Sequence, residues 1–332
     1  GTLIIKGGTF SNDNYGDNNL ATYARGLLLA DTAANIQIEG GVFNAVKAIV
    51  DIQNNLGNAS KNPKATIFGG DFSANPLTWD GLISIADGYK VVENNGRWAV
   101  VVDPVAKIGS TEYATLEEAV AAAEAGNTIT VLRDATLSAA LTMPAGIILN
   151  GNGKQINGEL VAGGDVTFVG HTKVTKFSAA YYNRTITIGE GACLEFTGTD
   201  RATLGYGNTF NITGSVENAK TADKANIQPS LIIPGGISIT GGNDATMNVT
   251  NAYVKIGSTS SKNSAANGTF TLNIENSVAE FTDQLTFAEP KSGLNPTFNL
   301  NVENSVLTIG KKLCIAAPNT NAVIDNSTVT LG

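Results

Sequence analysis

The stretch Thr269-Phe-Thr-Leu-Asn-Ile-Glu-Asn-Ser-Val278 returns 28 residues later as Thr297-Phe-Asn-Leu-Asn-Val-Glu-Asn-Ser-Val306. Looser copies end in Asn251-Ala-Tyr-Val-Lys-Ile-Gly257 and Asn326-Ser-Thr-Val-Thr-Leu-Gly332. Asn251, Asn276, Asn304 and Asn326 are therefore separated by 25, 28 and 22 residues. Recurrence at intervals in the twenties marks a solenoid. Positions −4 and −2 from each asparagine are apolar (Met247/Val249, Leu272/Ile274, Leu300/Val302, Ala322/Ile324). So are +3 and +5, or they are small (Val254/Ile256, Ala279/Phe281, Leu307/Ile309, Val329/Leu331). Each side alternates with period two, as a half-buried strand does. The step from −2 to +3 is odd, so a flat strand would turn one half away from the core. A bend at the asparagine restores a single buried face, and Asn tolerates the left-handed conformation such a corner requires. Short strands joined by sharp corners and stacked coil on coil make an all-β parallel β-helix. Corner asparagines sharing a column are expected to stack their amides.

Near the start the corner is built with glycine. Ile5-Lys-Gly-Gly-Thr-Phe10, Ile38-Glu-Gly-Gly-Val-Phe43 and Ile67-Phe-Gly-Gly-Asp-Phe72 follow one another at 33 and 29 residues. Isoleucine to phenylalanine is again an odd step, with Gly-Gly supplying the bend without a Cβ. Val161-Ala-Gly-Gly-Asp-Val166 is read as the same construction. Residues 1–88 then make about three coils, each with a further strand after its corner at Leu27-Leu28-Leu29, Ile49-Val50-Asp51-Ile52 and Leu82-Ile83-Ser84-Ile85.

The pattern changes at Tyr89-Lys-Val-Val-Glu-Asn-Asn-Gly-Arg-Trp-Ala-Val-Val101, two strands around an Asn95-Gly96 hairpin turn. Thr115-Leu-Glu-Glu118 is a capping box, followed by Ala119 to Ala125 and a terminating Gly126. Leu116, Val120 and Ala123 give this one helix, near 115–125, an apolar stripe that suits it to cap the β-helix after it. Two units are expected: a short β-helix segment ending in the hairpin (1–102), and a longer one with an N-terminal helical cap (103–332).

A net charge of −8 and a pI near 4.8 argue against nucleic acid or an anionic membrane as partner. No apolar run is long enough to span a bilayer. Cys193 and Cys314 sit in apolar strand patterns. At about 25 residues and roughly 4.8 Å per coil they lie on the order of 20 Å apart, too far for a disulfide, and are expected to be small core residues. The sequence opens mid-pattern at Leu3-Ile4-Ile5 and stops mid-pattern at Val329-Thr-Leu331, so it is expected to be part of a longer chain.

The Ile-x-Gly-Gly-x-Phe repeats resemble those of large secreted and surface-anchored bacterial proteins. So do Gly88-Tyr-Lys-Val-Val-Glu-Asn-Asn-Gly-Arg-Trp98 and Val105-Ala-Lys-Ile-Gly-Ser-Thr-Glu-Tyr-Ala-Thr-Leu-Glu-Glu-Ala-Val120, leading to Leu149-Asn-Gly-Asn-Gly-Lys-Gln-Ile156. The resemblance covers residues 1–160 by motif and the rest by periodicity. It implies a right-handed, pectin-lyase-like β-helix in an extracellular or cell-surface, adhesin-like or stalk protein. An enzyme of that fold needs carboxylates recurring on successive outward faces. No such run is read, apart from Glu275 and Glu303, which are expected to splay into solvent. The Asn-x-Asp, Asp-Asp, Gly-His-Gly and Arg-x-Lys set of the pectin-degrading hydrolases is absent, and His171 is expected to be an ordinary surface histidine. Asp13 and Asp17 lie in a polar loop whose spacing matches no calcium loop. No catalytic residue, metal site or cofactor is assigned. Trp79, Tyr181, Tyr182 and Arg184 are the candidates for ligand contact, since sugars are held by aromatics beside polar groups. The expected function is a non-enzymatic module meeting glycans or cell-surface proteins; the alternatives are a pectin-lyase-like carbohydrate-active enzyme and a viral fibre or spike.

Overall fold

The computed structural model describes residues 2–12, 26–30, 35–45, 48–52, 65–78, 83–179, 183–215, 227, 229–240, 244–261, 268–287 and 295–332. The chain divides into two compact units, Gly1–Pro104 and Val105–Gly332. Both are built on stacked parallel strands.

In the first unit one parallel sheet runs through Thr2–Ile5, Asn35–Ile38, Ala65–Ile67 and Ile83–Ile85. A second stacks Thr9–Asn12, Val42–Ala45 and Gly70–Phe72. The corner between them is the Gly-Gly pair. Gly8, Gly41 and Gly70 sit at φ of 107°, 121° and 125°, a region that a side chain strains. Their partners serve a different need: a Cβ on Gly69 would lie 2.5 Å from the Glu39 carbonyl oxygen of the coil before. The bend brings Ile5, Ile38 and Ile67 into one buried column, and the buried Phe43 and Phe72 with the half-buried Phe10 into another. Those rings stack with centroids 5.0 and 5.1 Å apart. Gly26–Ala30 and Ala48–Ile52 pair in parallel as a third face. Ile83–Ile85 is not their counterpart. It stacks on Ala65–Ile67 as the next strand of the first sheet.

The hairpin forms as the Asn-Gly turn dictates, with Asn95 and Gly96 both at positive φ and Tyr89–Asn94 antiparallel to Arg97–Val102. Its second strand adds to Gly70–Phe72, where Trp98 faces Phe72 and packs on the first unit's core. Arg97 reaches Asp71 and donates to Asn44 Oδ1 at 3.0 Å.

The second unit opens with an antiparallel pair, Ala106–Ile108 and Thr111–Tyr113. Helix α1 (Leu116–Ala122) follows, with both hydrogen bonds of the capping box: Glu118 N–H to Thr115 Oγ1 and Thr115 N–H to Glu118 Oε2. Leu116, Ala119 and Val120 are buried in the unit's core. The helix stops three residues earlier than the alanine run suggests. Ala123 is already extended, at φ −79° and ψ 138°, and the Asn127 side chain accepts the Glu124 N–H at 3.0 Å.

Two long sheets form the walls. In one, nine parallel strands run from Thr128–Val131 to Asn319–Asp325; in the other, the strands run from Ala135–Thr136 to Thr328–Leu331. Ala202–Gly205, Ile237–Thr240 and Thr259–Ser261 stack as a third side. Gln284–Phe287 and Lys312–Ile315 pair beyond it, tied on by the Thr286 N–H donating to Thr259 Oγ1 at 2.8 Å. The expected inward residues before and after Asn251, Asn276 and Asn304 are buried. On the last coil of the sequence they are not: Ile324 is 47% and Leu331 58% exposed. The Val161–Val166 corner also departs from its sequence reading. Ala162 and Val166 face inward instead of Val161 and Val166, an even step, and Gly163 and Gly164 are not among the residues of positive φ. There the glycines serve close approach, with Cβ positions 2.6 Å from Thr142 Cγ2 and 2.3 Å from Ala145 Cβ.

Asn251, Asn276, Asn304 and Asn326 occupy one column of corners at φ of 51°, 47°, 48° and 42°. The next position completes the corner. Ser277 and Ser305 are buried, and their hydroxyls accept the N–H of Ala252 and of Ser277, each at 3.0 Å, where the corner breaks the strand ladder. Each hydroxyl donates in turn to the carbonyl two residues before it, Glu275 at 2.5 Å and Glu303 at 2.6 Å. Replacing Asn276 by alanine is expected to cost about 1–2 kcal/mol, the left-handed penalty of a residue with a Cβ and no local polar partner. Asn276→Gly should recover most of it. Urea unfolding of the three proteins compares them directly, and equal midpoints would show that the corner conformation carries no energetic demand.

Candidate functional site: a hydrogen-bonded amide face

The outward positions of the first long sheet carry polar residues in register. One column reads Thr187, Asn211, Asn248, Asn273, Asn301. Its amides are joined along the coil axis: Asn248 Nδ2 donates to Asn211 Oδ1 at 2.8 Å, Asn273 to Asn248 at 2.7 Å, and Asn301 to Asn273 at 2.7 Å. A primary amide has two donor hydrogens and two acceptor lone pairs. Each inner rung uses one of each along the ladder and keeps one of each for what lies above the sheet. The donors all run the same way, so the amides are held in one orientation.

Two more columns flank this one. On one side are Thr209, Thr246, Thr271, Asn299 and Asn321, with Asn299 donating to Thr271 Oγ1 at 3.2 Å and Asn321 to Asn299 Oδ1 at 2.9 Å. On the other, beside the corner, are Thr213, Thr250, Glu275, Glu303 and Asp325. Asn248, Thr250, Asn273, Glu275, Asn301 and Glu303 line a shallow groove of about 280 Å³. The carboxylates thus do recur at one outward position, and Asp325 extends the Glu275–Glu303 pair to a third coil. All three are exposed and make no ion pair among the described residues. No group of three or more His, Cys, Asp or Glu side chains converges as metal ligands would among the described residues.

The corner asparagines contribute less stacking than their spacing implies. Asn326 donates to Asn304, whereas Asn251 Nδ2 reaches the Gly214 carbonyl at 3.0 Å, and its buried Oδ1 has no hydrogen-bond partner among the described residues. The ladder lies three residues upstream, at Asn248, Asn273 and Asn301. Its sequence signal is the first asparagine of Asn-x-x-Asn in the same repeat, which a search for the corner alone passes over. At the last coil that position is Val323, and the ladder ends there.

Of the sequence-derived ligand candidates, Trp79, Tyr181 and Tyr182 lie outside the described residues, as do Asp13 and Asp17. Arg184 is half-buried at a corner of this unit. Its N–H donates to Asn208 Oδ1 at 2.8 Å, and its buried Nε has no hydrogen-bond partner among the described residues.

The outer side of the second long sheet carries the other titratable groups. His171 Nε2 lies 2.8 Å from Glu195 Oε2, so this histidine is paired rather than solitary. His171, Cys193, Ser230 and Tyr253 follow one another in register. Cys193 is buried but outside the central core, because Leu194 and Phe196 take the inward positions of its strand; burial pushes its thiol pKa up. Cys314 is half-exposed, and both cysteines are free. Tyr253 donates to Glu280 Oε2 at 2.8 Å, and burial together with that carboxylate holds its hydroxyl far above the usual tyrosine range. For Glu159, burial alone would raise the pKa, but Ser178 and Lys176 outweigh it and hold the carboxyl below its ordinary value.

Comparison with protein-family models, with curated proteins and with solved structures found no match. No helix among the described residues is long and apolar enough to cross a membrane.

Proposed function

We propose that this chain is an extracellular, non-enzymatic module of adhesin or stalk type, part of a longer bacterial surface protein, whose β-helix presents a polar face to glycans. The observation that carries the reading is the amide ladder Asn211–Asn248–Asn273–Asn301 beside its groove. Such a row offers the same donor and acceptor at every coil, which suits a repetitive ligand. Catalysis on a glycan calls instead for a unique pair of groups held apart from one another in protonation. The glycine-corner and hairpin motifs, which resemble those of secreted and surface-anchored proteins, point the same way, and so does the acidic composition, which disfavours polyanionic partners.

The test sets binding against turnover. The chain is exposed to an array of immobilised glycans, and in parallel to polyuronates with and without calcium while released unsaturated or reducing ends are followed. Retention on the array without cleavage is the expected result. Calcium-dependent chain scission would replace this reading with that of a pectin-lyase-like enzyme, and a three-fold assembly with no glycan binding would favour a fibre.

A further inference from the structure

Resting on that reading, the geometry points to a narrower ligand class: we infer that the amide face takes an uncharged, linear polysaccharide in an extended ribbon conformation, lying along the coil axis with one sugar ring per coil. Parallel strands repeat every 4.7–4.9 Å or so, close to the advance of one pyranose ring in an extended β-1,4-linked chain. Neighbouring rings of such a chain are turned over by about half a turn, so successive rungs meet opposite hydroxyl-bearing edges in alternation, and an amide that both donates and accepts can pair with either edge.

The chemistry at each rung matches a sugar edge. Asn248 and Asn273, hydrogen-bonded both above and below, each keep one N–H and one carbonyl lone pair. Together these pair with a hydroxyl that donates and accepts at once. The hydroxyls and amides of Thr246, Thr271 and Asn299 border one side of the row. Glu275 and Glu303 border the groove on the other and accept hydroxyl protons. They also set the charge requirement. A polyuronate laid along this column would place a carboxylate near Glu275 and another near Glu303, with no cation among the described residues paired to either, so like-charge repulsion excludes it. Because the amides are already fixed by their mutual bonds, binding costs little side-chain ordering.

The experiment titrates the whole chain with neutral β-1,4-linked glucose oligosaccharides of increasing length, and with galacturonate oligosaccharides of the same lengths, by calorimetry at fixed ionic strength. Affinity for the neutral series should rise about threefold or more with each added ring, as each gains a rung of hydrogen bonds, and level off once the four ladder amides are covered. Galacturonate oligomers should bind at least about tenfold more weakly at low salt, with the gap narrowing as salt screens the carboxylates. Asn273→Ala, which breaks the ladder at its centre, should lower affinity for the longest neutral oligomer about tenfold or more. Asn273→Gln keeps an amide but displaces it, and should weaken binding in the same direction; a urea-unfolding midpoint unchanged in both variants separates loss of the site from loss of fold. Neutral binding independent of length, or unaffected by either variant, would overturn the assignment of this face. Binding of galacturonates in preference to neutral oligomers would overturn the ligand class while leaving the glycan-binding reading intact. If no glycan binds on the array or in solution, both fall together.

Discussion

Phe43→Ala should destabilise the first unit by about 3–5 kcal/mol, the cost of deleting a fully enclosed ring where the surroundings collapse only in part. Phe43 has no exposed surface and stands between Phe10 and Phe72, with near-parallel rings at 5.0 and 5.1 Å. Removing it breaks two stacked pairs, each worth about 0.5–1.5 kcal/mol beyond the buried area. Phe43→Leu keeps most of the volume and should cost markedly less. Trp98 packs on the same core, so tryptophan fluorescence during urea unfolding reports on it. A midpoint shifted as little by alanine as by leucine would show that the ring is not held between its neighbours.

The second large effect sets two copies of one motif against each other. Gly69→Ala should cost at least the upper part of the roughly 1–3 kcal/mol typical of overpacking, because its Cβ would sit 2.5 Å from a backbone oxygen that cannot swing away. Gly7 occupies the same place in Ile5-Lys-Gly-Gly-Thr-Phe10, but nothing lies within 4 Å of a Cβ built there. Gly7→Ala should be neutral, or stabilising by about 0.4–1 kcal/mol through the unfolded chain. Gly40→Ala, with a Cβ 2.9 Å from the Lys6 carbonyl oxygen, should fall between them. The ordering Gly7, Gly40, Gly69 is a property of stacking, since local sequence around the three glycines is nearly the same. Equal costs at all three would mean that the glycines serve only the turn.

Much of the architecture can be read from the residues because a β-helix repeats its constraints. The odd step across Asn276 and across Gly40-Gly41 demands a bend, and only stacked coils give that bend a buried face on both sides. The capping box of α1 is equally local, since Thr115 and Glu118 satisfy each other's backbone groups within one turn. What the residues alone misplace depends on neighbours in the next coil. Val161-Ala-Gly-Gly-Asp-Val166 has the same spelling as the earlier corners, yet its glycines lie against Thr142 and Ala145 of the preceding coil, where a side chain would not fit, rather than at positive φ. Ile83-Ser-Ile85 reads as a strand, but which sheet it joins is settled only by its pairing with Ala65–Ile67. The site is less legible still. Asn248, Asn273 and Asn301 are ordinary outward asparagines until register places them one above another, and Asp325 joins Glu275 and Glu303 only through the same pairing.

Everything proposed for the amide face requires Asn273 to lie directly beside Asn301. In a background of Cys193→Ser and Cys314→Ser, the double variant Asn273→Cys with Asn301→Cys should oxidise readily to an intramolecular disulfide, since paired parallel residues lie about 4.7–4.9 Å apart and disulfides span Cα distances of roughly 4.4–6.8 Å. Asn273→Cys combined with Lys255→Cys, which faces outward from the other long sheet, should stay reduced under the same conditions. Crosslinking of the second pair and not the first would contradict the stacked register, and with it the ladder.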